Sequence, residues 1–329
     1  ASIAMRDVAF DANRVSIGGQ STSANVEIGG GCVQLLATRS FVNLTRVLAT
    51  NNRVQLLPWS ASGGGAPVIA GGVFAAAAAV GAELSAVDVL FASNALIVDG
   101  TSCGELTGGL ALLSNIATLR NFTVSSGELE LRAAATQQLS LRGGMLALLT
   151  DHRAVSLHGL FVRGCKAVFN LPDSIAPNSP VAVSGALVSL SAPSCTQFDL
   201  NSAAALHNEV AATLAGEVRI SGGVFDFDLP SNLSRSEIVG AEFRYNAVSW
   251  APGKQVRFLL FRVASAHLVG RDSAFELSFE FVTYQFFPIC AGVDDSNHGR
   301  CDARHSCDER ATNRDTGESR LTRAGFFPF

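Results

Sequence analysis

Two aspartates one residue apart, Asp226 and Asp228 in VFDFDLP, are the first residues whose spacing could do chemistry. In an extended strand alternate side chains share a face, so the two carboxyls could serve as acid and base on a glycosidic bond. The same alternation marks any solvated strand face, and no catalytic residue is assigned from it. The stretch DDSNHG, Asp294 to Gly299, has the outline of a calcium loop with glycine in sixth place. His298 and His305 occupy its fifth and twelfth places, where oxygen ligands are required. His152, His158, His207 and His267 are scattered, and the chain has no P-loop. The expectation is a protein that is not an enzyme and holds no metal or cofactor.

Seven cysteines divide into two groups. Cys32, Cys103, Cys165 and Cys195 are far apart, and no C-x-x-C pair exists to bind zinc or exchange disulfides. Cys290, Cys301 and Cys307 cluster in the most polar part of the chain, where a segment without a core needs disulfide stapling. Three triplets can accept N-linked glycans: Asn43-Leu44-Thr45, Asn121-Phe122-Thr123 and Asn232-Leu233-Ser234. Both signals point to an oxidising setting, extracellular or at the cell surface, with N-glycans as possible attachments.

Composition narrows the class of protein. The chain of 329 residues is 48% hydrophobic and only 16% charged, too apolar for disorder and suited to a β-rich body. A net charge of -4, with lysine only at Lys166 and Lys254, offers no basic face for nucleic acid. The longest apolar window, APVIAGGVFAAAAAVGA, is mostly alanine and glycine and is followed by Glu83, so no membrane span is expected.

The elements are legible as punctuated alternation. Between Gly108 and Ser191 the chain reads LTGGLALLSN, VSSGELELRA, SLRGGMLALL, VSLHGLFVRG and VSGALVSLSA, each a glycine turn followed by a short alternating run. The turns near Gly109, Gly127, Gly144, Gly164 and Gly185 suggest a coil of about 20 residues with two or three strands, stacked parallel on its neighbours. A second frame spans the chain: FDANRVSIGG from Phe10, FASNALIVDG from Phe91 and FRYNAVSWAP from Phe243 share F-x-x-N before an alternating run. The Phe is expected inside a solenoid and the Asn at a corner, accepting left-handed backbone and bonding neighbouring turns. Phe161-Val162-Arg163-Gly164 reads as a partial copy with Gly at the corner.

On these units the chain resembles a right-handed parallel β-helix of the pectate-lyase-like kind, in particular long, divergent β-helical surface proteins. The resemblance covers residues 1–250. It implies an all-β solenoid, and for enzymes of that fold it implies polysaccharide cleavage by clustered carboxylates or by an arginine with calcium. The chain lacks the Asn-Thr-Asp and Gly-His-Gly motifs of the galacturonan hydrolases, and Leu157-His158-Gly159 and Arg219-Ile220-Ser221 are faint echoes, so no catalytic site is carried over. The alternative fold is a set of Ig-like β-sandwich domains with a donated strand.

After Val256 the runs lengthen, and FELSFEF suggests an antiparallel cap over residues 251–289. Residues 290–329 form a cysteine-containing charged tail ending in AGFFPF. The expected role is structural: a subunit of a filament or surface appendage whose partners are copies of itself. Ile3, Met5, Val8 and Phe10 would serve as a donated strand, and Phe326, Phe327 and Phe329 as an aromatic plug. A carbohydrate-active enzyme or glycan-binding adhesin is the alternative.

Overall fold

The structure is a computed structural model that describes residues 2–21, 27–37, 40–61, 68–99, 105–132, 140–171, 181–214, 217–221, 224–230, 233–251, 255–257, 261–264 and 274–279. Among these residues every regular element is a strand, and no helix is present that could cross a membrane. The first coil holds β1 (Ser2–Asp11), β2 (Arg14–Ser21), β3 (Glu27–Gly29) and β4 (Val33–Leu36). The second holds β5 (Phe41–Thr50), β6 (Arg53–Ala61), β7 (Val68–Ala70) and β8 (Phe74–Ala77). The third holds β9 (Leu84–Ala92), β10 (Ala95–Asp99), β11 (Glu105–Thr107) and β12 (Ala111–Ser114).

Each of these strands pairs parallel with the strand one coil away, never with its sequence neighbour. The result is four sheets running the length of the body, three of seven strands and one of nine. The chain is therefore a parallel β-solenoid, and the sandwich alternative, which requires antiparallel pairing, is excluded for the described strands.

The coil is about twice as long as the glycine spacing suggests. Leu84 pairs with Ile116 and His158 with Asn201, so the register separations run from 32 to 43 residues. The glycine turns belong to two corners and interleave. Gly109, Gly144 and Gly185 lie between the third and fourth sheets, whereas Gly127 and Gly164 lie between the first and second. Reading both series as one halves the period.

The corner between the third and fourth sheets explains its paired glycines. Gly108 has φ +63°, and a Cβ there would lie 2.2 Å from the Ala111 carbonyl oxygen. On the adjoining Gly109 a Cβ would lie 2.2 Å from the Gly144 oxygen of the next coil. One glycine accepts left-handed backbone and the other lets two coils close to hydrogen-bonding distance.

Inside, equivalent residues stack in columns. One column runs Phe10, Ala49, Phe91, Val124, Val162, Ala205, Phe243, each in register with the next. All three phenylalanines of the F-x-x-N frame thus share a column, two and four coils apart. Phe91 packs edge-on to Phe74 with centroids 5.3 Å apart and stacks on Phe122 at 5.5 Å. Rings of successive coils thus meet across columns, and smaller side chains fill the levels between them at native packing density.

Past residue 251 the described strands, 255–257, 261–264 and 274–279, pair parallel on the coil below and extend the solenoid. This corrects the antiparallel cap there. Alternation with period two is common to half-exposed strands of either direction, so the pattern carries no direction. Residues 280–289 of that expected cap, and the tail from 290, lie outside the described residues.

Candidate functional site

The Asn of the F-x-x-N frame builds a ladder along the corner between the first and second sheets. Asn52 donates from its backbone N–H and its Nδ2 to Asn94 Oδ1, at 3.0 and 2.9 Å. Asn13 makes the same pair of bonds to Asn52 Oδ1, at 3.1 and 2.8 Å, and Asn208 the same pair to Asn246 Oδ1, at 3.2 and 2.8 Å. Each Nδ2 of Asn52, Asn94, Asn208 and Asn246 also donates to a carbonyl of the coil before it. Asn52, Asn94, Asn208 and Asn246 are buried, and these bonds satisfy polar groups that would otherwise be costly to bury.

The left-handed residue at this corner is the one before the Asn, which corrects the expectation. Ala12, Asn51, Ser93, Ser126, Gly164, His207 and Tyr245 carry the positive φ. Phe161-Val162-Arg163-Gly164 is likewise shifted by one: Val162 occupies the interior column, Phe161 faces outward, and Cys165 takes the Asn place. Burial pushes the Cys165 thiol up to about 11, and its Sγ lies 3.7 Å from the Val124 oxygen, where an Asn Nδ2 would donate.

The first coil is where this regularity stops. Ile3 is 36% exposed and its in-register neighbour Val42 is fully buried. Met5, Val8 and Phe10 are half-buried, whereas Leu44, Val47 and Ala49 beneath them are closed off. Asn13 lacks the donors from a preceding coil that Asn52 and Asn94 receive, so among the described residues its Oδ1 has no partner. β1 pairs with β5 inside its own solenoid, so this segment is not a loose strand awaiting another molecule. Among the described residues no strand pairs with its other edge, whose N–H and C=O groups lie beside apolar side chains.

The remaining candidates do not converge. Asp226 is 1% exposed and takes a hydrogen bond from Ser184 Oγ, while Asp228 is exposed, so no carboxylate pair shares a cleft. His158 Nε2 lies 3.3 Å from Asp199 Oδ2, and His207 stacks on Tyr245 with centroids 4.7 Å apart. Asn43 projects from the exposed face of β5. Asn121 is exposed with φ 50° and its Nδ2 donates to Asp88 Oδ1 at 2.8 Å. Cys32, Cys165 and Cys195 are free thiols. Asn232, His267, Cys103, Cys290, Cys301, Cys307, Phe326, Phe327 and Phe329 lie outside the described residues. Among the described residues no group of three or more His, Cys, Asp or Glu could hold a metal ion.

A second outward column escaped the sequence reading. Asp7, Arg46, Asp88, Asn121, Gly159, Ser202 and Gly240 all have positive φ and bend the long strands of the first sheet at mid-length. Arg46 forks onto Asp7, with Nη2 to Oδ2 at 2.7 Å, and holds the Asp7 carboxyl below the usual carboxylate range. Asp, Asn and Gly accept such φ more readily than other residues, so five of the seven positions carry a residue-type signal, interrupted at Arg46 and Ser202.

No family model, curated protein or solved structure matches this chain.

Proposed function

We propose that this chain is an extracellular structural subunit that assembles end to end with copies of itself into a filament or surface appendage. The observation that carries the reading is the first described coil, where Ile3, Met5, Val8 and Phe10 sit in columns that are closed one level down and no described strand covers them. Covering them with a further strand level would contribute on the order of 1 kcal/mol for each half-buried side chain. The two ends of a parallel solenoid are different surfaces, so contact between them is head-to-tail and does not close on itself. The exposed Asn43 and Asn121, each in a glycan-acceptor triplet, support the extracellular part.

The test is electron microscopy and sedimentation of the purified chain beside Met5→Arg. A charge-matched control is Leu57→Arg, at a position already exposed on the outer surface. The reading expects fibres from the wild type and the control, and monomers from Met5→Arg with unchanged β-sheet circular dichroism. Fibres from all three, or from none, would overturn it.

A second reading, a glycan-binding adhesin, draws on His207 and Tyr245, whose stacked rings form an exposed ledge at the corner. Flat aromatic faces of this kind suit the apolar face of a sugar ring. Glycan-array binding lost in Tyr245→Ala would favour this reading over assembly.

A further inference from the structure

Most charged residues stacked on neighbouring coils of the described strands are balanced. Arg46 sits in register with Asp88 and pairs with Asp7, and Lys166 sits in register with Glu209, their charged atoms 3.4 Å apart. Where two acids stack, Asp199 on Glu237, each has its own partner: His158 for Asp199 at 3.3 Å and Arg235 for Glu237 at 3.0 Å. Arg14 and Arg53 break the pattern, as the register of Arg219 on Arg257 also does. Their register sets one directly on the other in β2 and β6, and among the described residues neither guanidinium meets a carboxylate. Like charges directly opposite destabilise a sheet.

The same two arginines line a cavity of about 360 Å³, together with Val15, Ser16 and Gln55. Ser16 and Gln55 are also in register, two residues further along the same outer face, and bring neutral hydrogen-bond donors to the space between the guanidiniums. Neighbouring strands lie about 4.8 Å apart, which sets two rigid donor forks at a spacing one tetrahedral group can bridge. Arg forks favour oxyanions because two parallel N–H bonds match two oxygens.

We infer that Arg14, Arg53, Ser16 and Gln55 form a binding site for a doubly charged tetrahedral oxyanion, a sulfate or phosphate group. Two cations call for two negative charges, which a single carboxylate does not carry. The site lies on the outer face of the second sheet and stands independently of end-to-end assembly.

The experiment is a calorimetric and thermal-shift titration with sodium sulfate against sodium chloride at equal ionic strength, on the wild type and on Arg53→Gln. The inference expects saturable one-to-one sulfate binding in the millimolar range and a loss of at least tenfold in affinity in Arg53→Gln. Arg120→Gln, an exposed arginine on the first sheet, is the control and should bind as the wild type does. Sulfate also stabilises proteins in general by exclusion from their surfaces, an effect common to all three proteins that cancels in the comparison. Arg53→Glu gives a second readout: it sets an acid against Arg14, so its melting midpoint should rise without sulfate and lose the sulfate-specific increment. Equal responses of the wild type and Arg53→Gln, or no difference between sulfate and chloride, would overturn the inference. Titration with a sulfated and a phosphorylated monosaccharide then separates the two sources of the group by which binds more tightly.

Discussion

Asn94 Oδ1 receives both the backbone N–H and the Nδ2 of Asn52, so one side-chain oxygen ties two coils of the solenoid together. Asn52 is 1% exposed, and its own Nδ2 also reaches the Phe10 carbonyl. Removing the amide at position 52 strips the Asn13 N–H and the Phe10 oxygen of partners in one step. Unsatisfied groups cost about 1 to 3 kcal/mol each when buried, and part of that is recovered by water. Asn52→Ala should therefore destabilise by about 2 to 4 kcal/mol in urea unfolding. Asn52→Asp should be no better, since a carboxylate cannot donate to Asn94. A loss under about 0.5 kcal/mol in both would mean the ladder is not structural.

Gly109 tests the closeness of the coils. With a Cβ 2.2 Å from the Gly144 oxygen, Gly109→Ala must push two backbones apart, and a cost of about 2 to 4 kcal/mol is expected. Gly81→Ala is the contrast, because a Cβ there meets nothing within 4 Å. Its φ of +79° still strains an alanine, so only the backbone penalty of about 1 kcal/mol should appear. Equal losses in the two variants would contradict the close approach.

Acid should weaken the first two coils. The hydrogen bond from Arg46 lowers the Asp7 pKa, and hydrogen bonds from Thr50 Oγ1 and Asn51 Nδ2, at 2.6 and 3.0 Å, lower that of Asp11. A carboxyl whose folded value is depressed contributes stability that is present above its unfolded value and lost as pH falls through the folded value. Urea midpoints should accordingly fall below about pH 4, and the fall should be shallower in Asp7→Asn/Asp11→Asn. Parallel acid limbs in the two proteins would show that neither carboxyl is coupled to folding.

Alkali should act on Cys165. Its thiol titrates at about 11 in the fold, against an ordinary value of 9.0, because burial disfavours the thiolate. The unfolded chain therefore ionises first, and the contribution of this group declines as pH rises from about 9 to 11. At neutral pH the Cys165 thiol should react with a thiol reagent only at the rate of unfolding. Reaction as fast as in the urea-unfolded chain would show that it is accessible.

The solenoid and the interior phenylalanines were legible because glycine turns recur between short strands at intervals too long for hairpins and the F-x-x-N frame returns along the chain. The full repeat was hidden by substitution along the column. Ala49, Val124, Val162 and Ala205 stand where Phe10, Phe91 and Phe243 stand on other coils, so only three of these seven copies of the frame display a ring. At the ladder position Gly127 and Cys165 replace Asn, and a Cβ at Gly127 would lie 2.6 Å from Leu110 Cδ1. Coil length was misjudged because both glycine-bearing corners resemble each other in sequence while only one uses Gly-Gly to bring carbonyls together. The edge at Ile3 and Met5 was read as a donated strand because apolar alternation records what a strand can bury and not which of its edges is paired. Arg14 and Arg53 left no signal at all, since 39 residues separate two side chains that the register sets face to face.

The most direct measurement is X-ray fibre diffraction from aligned assemblies of the purified chain. Strands of a solenoid run across its long axis, and end-to-end stacking carries their spacing along the fibre, so a reflection near 4.8 Å is expected on the meridian. The same reflection on the equator, with strands along the fibre, or a chain that stays monomeric at high concentration, would contradict assembly through the first described coil.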